Sequence, residues 1–356
     1  VANEYITDVV PPEQLTGFVR ELVSGDLPYA SLFPSLPTAD IEYELTNVDL
    51  ASAGEVARYR AWDTPARIGK RPGISIIEGE IPPLAWGYRL NEKEMARFDR
   101  LRAGVADRSD AMVERTIYDD AARAGQAVQN RLTLAHGSIL QTGAVELTEL
   151  GDVVSGNELK ATFAVPANQM GVVPATVAWT DHAAAVPVTD LLAWEVIYRA
   201  NNGGRNPDAW GVSSEIMGDL VLNAQLKVLA AGSSGITPGL ITPSTVTAVL
   251  SAMGVRAPVL VMFDVERPTL TSGTPARVVS NRKVIGVRAG MGNTLYTTPP
   301  ATAGLAREGA TQMATMEPGI IAYQVGDINP AWVETVAEGL AMPILRNPNA
   351  LFVATV

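Results

Sequence analysis

Apolar and polar positions change rhythm several times along the chain, and each rhythm predicts a different element. Between residues 1 and 42 every short apolar patch is cut by a proline, at 11, 12, 28, 34 and 37, which leaves room for one brief helix around Glu13 to Leu22. The remainder reads as an extended arm. Its Leu22, Leu32, Phe33 and Leu36 become buried only by lying on another surface, either the chain's own body or a neighbouring subunit, and both stay open.

From about Tyr43 to Leu90 the alternation is that of strands, with residues 56–62 running out and 73–79 returning as a long hairpin. The stretch between them, Thr64 to Pro72, is polar and cationic, so it should project into solvent or onto an acidic partner surface. A helical rhythm follows. Asn91 stands three residues before Glu94 in a capping pattern, and Met95, Phe98, Leu101, Val105, Met112, Ile117, Ala121, Ala124, Val128, Leu132 and Ala135 recur at spacings of three, four or seven. A helix from there to about Gln141, ended by Gly143 in a left-handed cap and with a possible break at Gly104, would be roughly 75 Å long. Its polar side interleaves Arg97, Arg100, Arg108, Arg115 and Arg123 with Asp99, Asp107, Asp110, Glu114 and Asp119, a solvated or subunit-facing ion-pair surface. The apolar repeat drifts too much for a coiled coil.

Beyond the helix, residues 144–150, 159–165 and 176–179 alternate as strands that fit a sheet beside the rod. From Pro187 shorter helices alternate with strands: helices at 190–200, 214–229 and 243–253, the last capped by Thr242 and Gly254, then a buried-type strand at 259–263. Strands at 277–280 and 283–288 precede a terminal stretch, 319–356, whose apolar ends should return to the first sheet. The fold class is α+β.

Composition narrows the function. With 356 residues, 47% of them hydrophobic and 18% charged, the chain can bury a sizeable core in more than one lobe. Its 27 basic residues against 38 acidic ones give a formal charge of -11, which argues against a broad cationic surface that grips nucleic acid. The absence of cysteine removes disulfides, thiolate metal sites and a cysteine nucleophile. Val1 to Pro12 lacks the basic start and apolar run of a secretory signal, so no export is expected. Every apolar run stops well short of the roughly 20 residues that span a bilayer, so no membrane partner is expected either.

Catalytic chemistry finds little support. The two histidines, His136 and His182, belong to no metal-binding spacing, and each is expected to be structural. Asp119 and Asp120 point to different sides of a helix and cannot share a proton. No nucleophile elbow or phosphate loop is present, and Gly290 and Gly292 are turn glycines, lacking the third glycine of a dinucleotide fingerprint. No cofactor and no metal are expected. The rival from another class is a cytoplasmic α/β enzyme with a site assembled from dispersed acids such as Asp264 and Glu266.

The segments Gly69-Lys70-Arg71-Pro72-Gly73, Gly79-Glu80-Ile81-Pro82-Pro83-Leu84 and Leu90-Asn91-Glu92 resemble the lambda-type capsid protein E family of tailed-phage major capsid proteins. Further matches are Arg131 through Leu140-Gln141-Thr142-Gly143, Trp179-Thr180-Asp181 with Pro187, Asp190-Leu191 and Trp194, and Ala341-Met342-Pro343-Ile344 with Asn347-Pro348-Asn349. The resemblance implies an N-terminal arm (1–42), an extended loop (43–90), a peripheral domain with the spine helix (91–186), an axial domain (187–310) and a return to the peripheral domain (311–356). It implies hexamers and pentamers of the chain closing into an icosahedral virion shell around double-stranded DNA, assembled in the host cytoplasm. Arg67, Lys70 and Arg71, with Arg58 and Arg60, become candidates for intersubunit ion pairs, and Trp62, Ile74 and Ile76 for apolar contact. Implied partners are a scaffolding protein, a decoration protein, a portal and, through weak non-specific contact, packaged DNA. A covalent link from Lys70 to Asn347 or Asn349 of a neighbour is conceivable, although lambda-type shells point instead to clamping by a decoration protein. A bacterial nanocompartment shell shares the fold and remains the nearer rival.

Overall fold

A computed structural model describes residues 10–24, 27–48, 74–97, 106–146, 160–174, 177–232, 239–269, 273–307, 318–328 and 330–356. Two sheets and one long helix organise it. The helix, α2 (Ala106–Thr142), has 37 residues and is about 55 Å long. Its stripe Ile117, Ala121, Ala124, Val128, Leu132, Ala135 and Ile139 is buried, and these positions follow one another by three or four, so they fall on one side of a 3.6-residue repeat. Gly143 ends the helix at φ +66°, donating its N–H to the Ile139 carbonyl at 2.8 Å, the left-handed cap expected from the sequence. Upstream, Asn91 and Glu94 exchange backbone-to-side-chain bonds of 3.1 Å in both directions, a complete capping box on the helical turn at 92–97. The possible break at Gly104 lies outside the described residues.

The first sheet runs in the order β1 (Ser35–Pro37), β13 (Asn293–Thr297), β15 (Ala331–Ile344), β14 (Ile321–Ile328), with β4 (Pro83–Leu90) antiparallel along β15. Alternation on β15 turns Val333, Thr335, Ala337 and Ala341 inward, and Ala337 and Ala341 share a core with Ile117, Ala121, Ala124 and Val128 of α2. The N-terminal helix α1 (Pro12–Ser24) closes the same core with Leu15 and Val19. Its Thr16 hydroxyl donates to the Ala322 carbonyl and accepts from the Ala322 amide, both at 3.0 Å, and Arg20 Nε reaches the Ile320 carbonyl at 2.8 Å. Of the two surfaces open to the arm, residues 10–37 take the chain's own body: Leu32 and Phe33 are buried, and β1 pairs in parallel with β13. Leu22 and Leu36 stay more than one third exposed.

The second sheet has the order β7 (Met170–Pro174), β16 (Phe352–Thr355), β12 (Lys283–Val287), β8 (Ala209–Val212), β9 (Val259–Val261). Helices α3 (Pro187–Asn201), α4 (Ser214–Leu222), α5 (Ala224–Ala231) and α6 (Pro243–Ala252) share its apolar core. The helix expected at 214–229 is two helices, because Asn223 adopts extended backbone and its Oδ1 accepts from Leu226 N at 3.1 Å to cap α5. Thr242 caps α6 as expected, through Thr245 N at 3.3 Å. No strand forms at 177–179. Trp179 lies in a turn instead, buried, with its indole N–H donating to Asp190 Oδ2 at 2.9 Å.

The terminal stretch divides between the sheets: β14 and β15 build the first, while β16 lies inside the second, between β7 and β12. β12 and β13 divide in the same way. Gly290 and Gly292 make the turn between them, their amides bonding to the Ser31 and Leu32 carbonyls at 3.1 and 3.2 Å. A Cβ on Gly292 would overlap Phe33 and the Ile344 carbonyl, so this position has room only for glycine. A core containing Phe33, Ile139, Leu140, Phe263, Ile285, Leu345 and Val353 fills the space where these crossings occur.

Candidate functional site

One of the two-stranded ribbons outside both sheets consists of β2 (Glu42–Val48) and β3 (Ile74–Glu80), paired antiparallel from Glu42 opposite Glu80 to Val48 opposite Ile74. This corrects the pairing read from the sequence: the partner of the returning strand is 42–48. Residues 56–62, the expected outgoing strand, lie outside the described residues, as do Arg58, Arg60, Trp62, Arg67, Lys70 and Arg71. Ile74 and Ile76 are placed by the backbone only, opposite Val48 and Thr46, with their side chains outside the description. The structure therefore brings none of the eight sequence candidates into a described contact.

The root of the ribbon is fixed. Ile81 is buried and donates its N–H to the Ile41 carbonyl at 2.9 Å, directly before β4 enters the first sheet. On one face Tyr43 lies opposite Gly79, where any Cβ would overlap its ring. The glycine leaves space for the aromatic ring to lie across the ribbon, and burial raises the Tyr43 hydroxyl pKa above its ordinary value. Leu45 packs on this side too.

The opposite face is chemically uniform. Glu42, Glu44, Glu78 and Glu80 alternate with the buried positions, and the register sets Glu42 directly against Glu80 and Glu44 against Glu78. All four are exposed. With Asp40 they line a cleft of about 990 Å³ together with Ala39, Ile41, Tyr43 and Gly79. Sequence reasoning passed over these carboxylates and fixed on the cations beyond them. The signal was present in the alternation of Asp40, Glu42 and Glu44 with Ile41, Tyr43 and Leu45.

Elsewhere, polar groups serve the fold. His136 is buried, with Nε2 2.8 Å from Thr294 Oγ1 and its ring 4.8 Å from that of Phe33, and burial lowers its pKa to about 3. His182 Nε2 lies 3.0 Å from Asp219 Oδ1, while Arg282 holds the other carboxylate oxygen at 2.6 Å. Asp264, named for the enzyme rival, accepts from Ser214 N at 2.9 Å and from Arg277 at 2.7 Å. Burial pushes its pKa up, but the Ser214 amide, the Arg277 guanidinium and the Ser214 hydroxyl outweigh that and hold it below the usual value. Glu266 is exposed in the short strand Glu266–Pro268. Among the described residues no group of three or more His, Asp or Glu side chains could hold a metal ion. Asn349, one proposed cross-link acceptor, is 8% exposed, whereas Asn347 is half-buried.

Comparison with known proteins identifies the architecture. The family model for phage major capsid protein E matches residues 37–356. No curated protein matches the sequence. Among solved structures, a prophage protein of E. coli CFT073 assigned to the capsid is similar over 98% of this chain and 99% of its own, at 12% identity and a TM-score of 0.57. A phage-related protein from Bordetella bronchiseptica RB50 is similar over 95% and 96%, at 13% identity and a TM-score of 0.52. Both likenesses concern the fold.

Proposed function

Because the chain belongs to the phage major capsid protein E family, we propose that its copies join as hexamers and pentamers into an icosahedral shell around double-stranded DNA. It is a shell-forming structural protein of the virion capsid. The observation that carries the reading is the span of the family match, which takes in both sheets, the long helix and the ribbon. A non-catalytic role is supported by the engagement of Asp264 with Arg277 and Ser214 and of His136 with Thr294, within packed structure.

In this reading the segment that joins β2 to β3 reaches a neighbouring subunit. Arg58, Arg60, Arg67, Lys70 and Arg71 supply ion pairs there, and Trp62, Ile74 and Ile76 supply apolar contact. A single such pair contributes about 0–1 kcal/mol, but the shell repeats it at every copy and closure makes the contacts cooperative. Assembly would take place in the host cytoplasm with a scaffolding protein, a portal and a decoration protein. The formal charge of -11 suits a wall that touches packaged DNA only weakly.

Electron microscopy and sedimentation of the purified protein should show capsomers or closed shells of megadalton mass. A compact monomer or dimer at all concentrations would sink the reading, and an enzyme cargo in place of DNA inside native particles would move it to a nanocompartment. On denaturing gels the particles should run as a single monomer band with no ladder of multimers. The buried Asn349 is withdrawn from a neighbour's Lys70, so a ladder of multimers would instead point to Asn347 as the acceptor.

A further inference from the structure

The ribbon's acidic face is unfavourable as it stands. Like charges directly across an antiparallel pair repel, and here two such pairs follow one another, Glu42 with Glu80 and Glu44 with Glu78. Among the described residues no ion pair reaches these four or Asp40. The face is also concave, a cleft of about 990 Å³, and it carries an apolar side chain, Ile41, 49% exposed. A strand face that keeps four aligned carboxylates, a hollow and an exposed isoleucine fits an extended cationic segment.

The chain itself contains a cationic stretch. Between β2 and β3 the sequence has Arg58, Arg60, Arg67, Lys70 and Arg71, and the last three fall within five positions with no acid among them. The segment leaves the ribbon at Val48 and Ile74, whereas Glu42 and Glu80 stand at the other end, six residues back along each strand. At about 3.4 Å per residue, its own cations would have to double back by roughly 20 Å to reach them. A second copy has no such constraint.

We propose that the cleft lined by Asp40, Glu42, Glu44, Glu78 and Glu80 receives the cationic stretch Arg67–Arg71 of a second copy of the chain. The inference rests on the shell-forming role and supplies a receptor for the intersubunit segment. Each copy then gives one contact and takes one, the head-to-tail arrangement that closes into rings.

The test reverses charge on either side. Glu44→Lys with Glu78→Lys changes the cleft, and Lys70→Glu with Arg71→Glu changes the segment. Each variant alone should raise the concentration needed for half-assembly roughly tenfold, read by light scattering and sedimentation, with the melting temperature of the unassembled protein unchanged. Equal amounts of the two variants, mixed, should assemble into even-membered rings such as hexamers, in which the variants alternate and each meets the opposite charge on the other chain. Failure of the mixture would overturn the proposal, and so would normal assembly of the cleft variant alone. If all four reversals in one chain restore assembly while the mixture stays unassembled, the contact lies within one chain. If the unmodified protein forms no particles under any condition, it is the shell-forming reading that has failed.

Discussion

Replacing Trp194 by alanine should destabilise the unassembled subunit by about 3–5 kcal/mol, the cost of emptying a buried aromatic site. Trp194 is 1% exposed and stands at the centre of four aromatic rings. Trp179 stacks on it at 5.7 Å and 21°, Trp210 lies at 5.9 Å and Phe352 at 6.0 Å. These rings come from four places in the sequence: a turn, α3, β8 and β16. Truncation therefore loosens helix from sheet and the C-terminal strand from both. The backbone offers little room to collapse into the gap, since Gly286 beneath Trp210 already lies where a Cβ would touch that ring and Phe352. Typical domains have only about 5–15 kcal/mol in hand, so the loss should show as a large fall in the urea midpoint with the slope unchanged. Val196, two residues along the same helix and 57% exposed, is the control, and its change to alanine should stay within about 0.5 kcal/mol. A loss below about 1.5 kcal/mol for Trp194→Ala would mean that the four rings do not act as one packed unit.

That cluster shows where sequence reading stops. The long helix was legible because its stripe repeats over many turns and its C-terminal end carries local chemistry in Gly143, as the Asn91–Glu94 box does for the turn at 92–97. Such signals need no knowledge of distant residues. The aromatic cluster has no local signal, since Trp179, Trp194, Trp210 and Phe352 meet only when the two-sheet arrangement exists. Short strands suffered similarly: β8 and β13, four and five residues long, are too short to announce themselves by alternation, and pairing with β12 and β15 defines them. The ribbon was half legible. Alternation announced strands, but residues 42–48 and 56–62 alternate equally well, and period alone cannot choose a partner or a register. The candidate site inherits this limit. Cations between prolines and glycines stand out in a sequence, whereas the acidic face exists only once Glu42 is set against Glu80.

The assembly reading and the fold also constrain one another. Residues 10–37 dock on their own subunit through Thr16, Arg20, Leu32 and Phe33, so the described part of the arm is spent on the subunit's own stability. The ribbon, by contrast, shows one packed face and one uncompensated face. A surface that costs the isolated subunit and is relieved by a neighbour couples folding energy to association, which favours the assembled state without deep apolar patches that would invite aggregation.

Acid should weaken the subunit through His136, and the effect should vanish in His136→Gln. The imidazole is buried between α2, the 29–33 segment and β13. Nε2 has Thr294 Oγ1 at 2.8 Å, Nδ1 has no partner, and the rings of Phe33 and Tyr29 lie at 4.8 and 6.3 Å. Nothing in that contact set stabilises an imidazolium, so burial alone lowers the pKa from 6.5 to about 3. The sign follows from which state holds the proton. Between pH 6.5 and 3 the unfolded chain binds a proton that the folded chain refuses, so stability falls as pH drops through this window and is unaffected above it. From pH 7 to 4.5 the loss assigned to His136 is about 2–3 kcal/mol, the free-energy equivalent of roughly two pH units below the unfolded pKa. Other titrating groups are common to both proteins and cancel when the two stability curves are subtracted. The variant should start lower at pH 7, having lost a packed ring, and the gap to the wild type should narrow by about 2–3 kcal/mol at pH 4.5. Urea titrations of the unassembled protein at the two pH values measure it. Parallel curves, with the gap unchanged, would show that His136 either finds a partner for its second nitrogen or accepts the proton without unfolding.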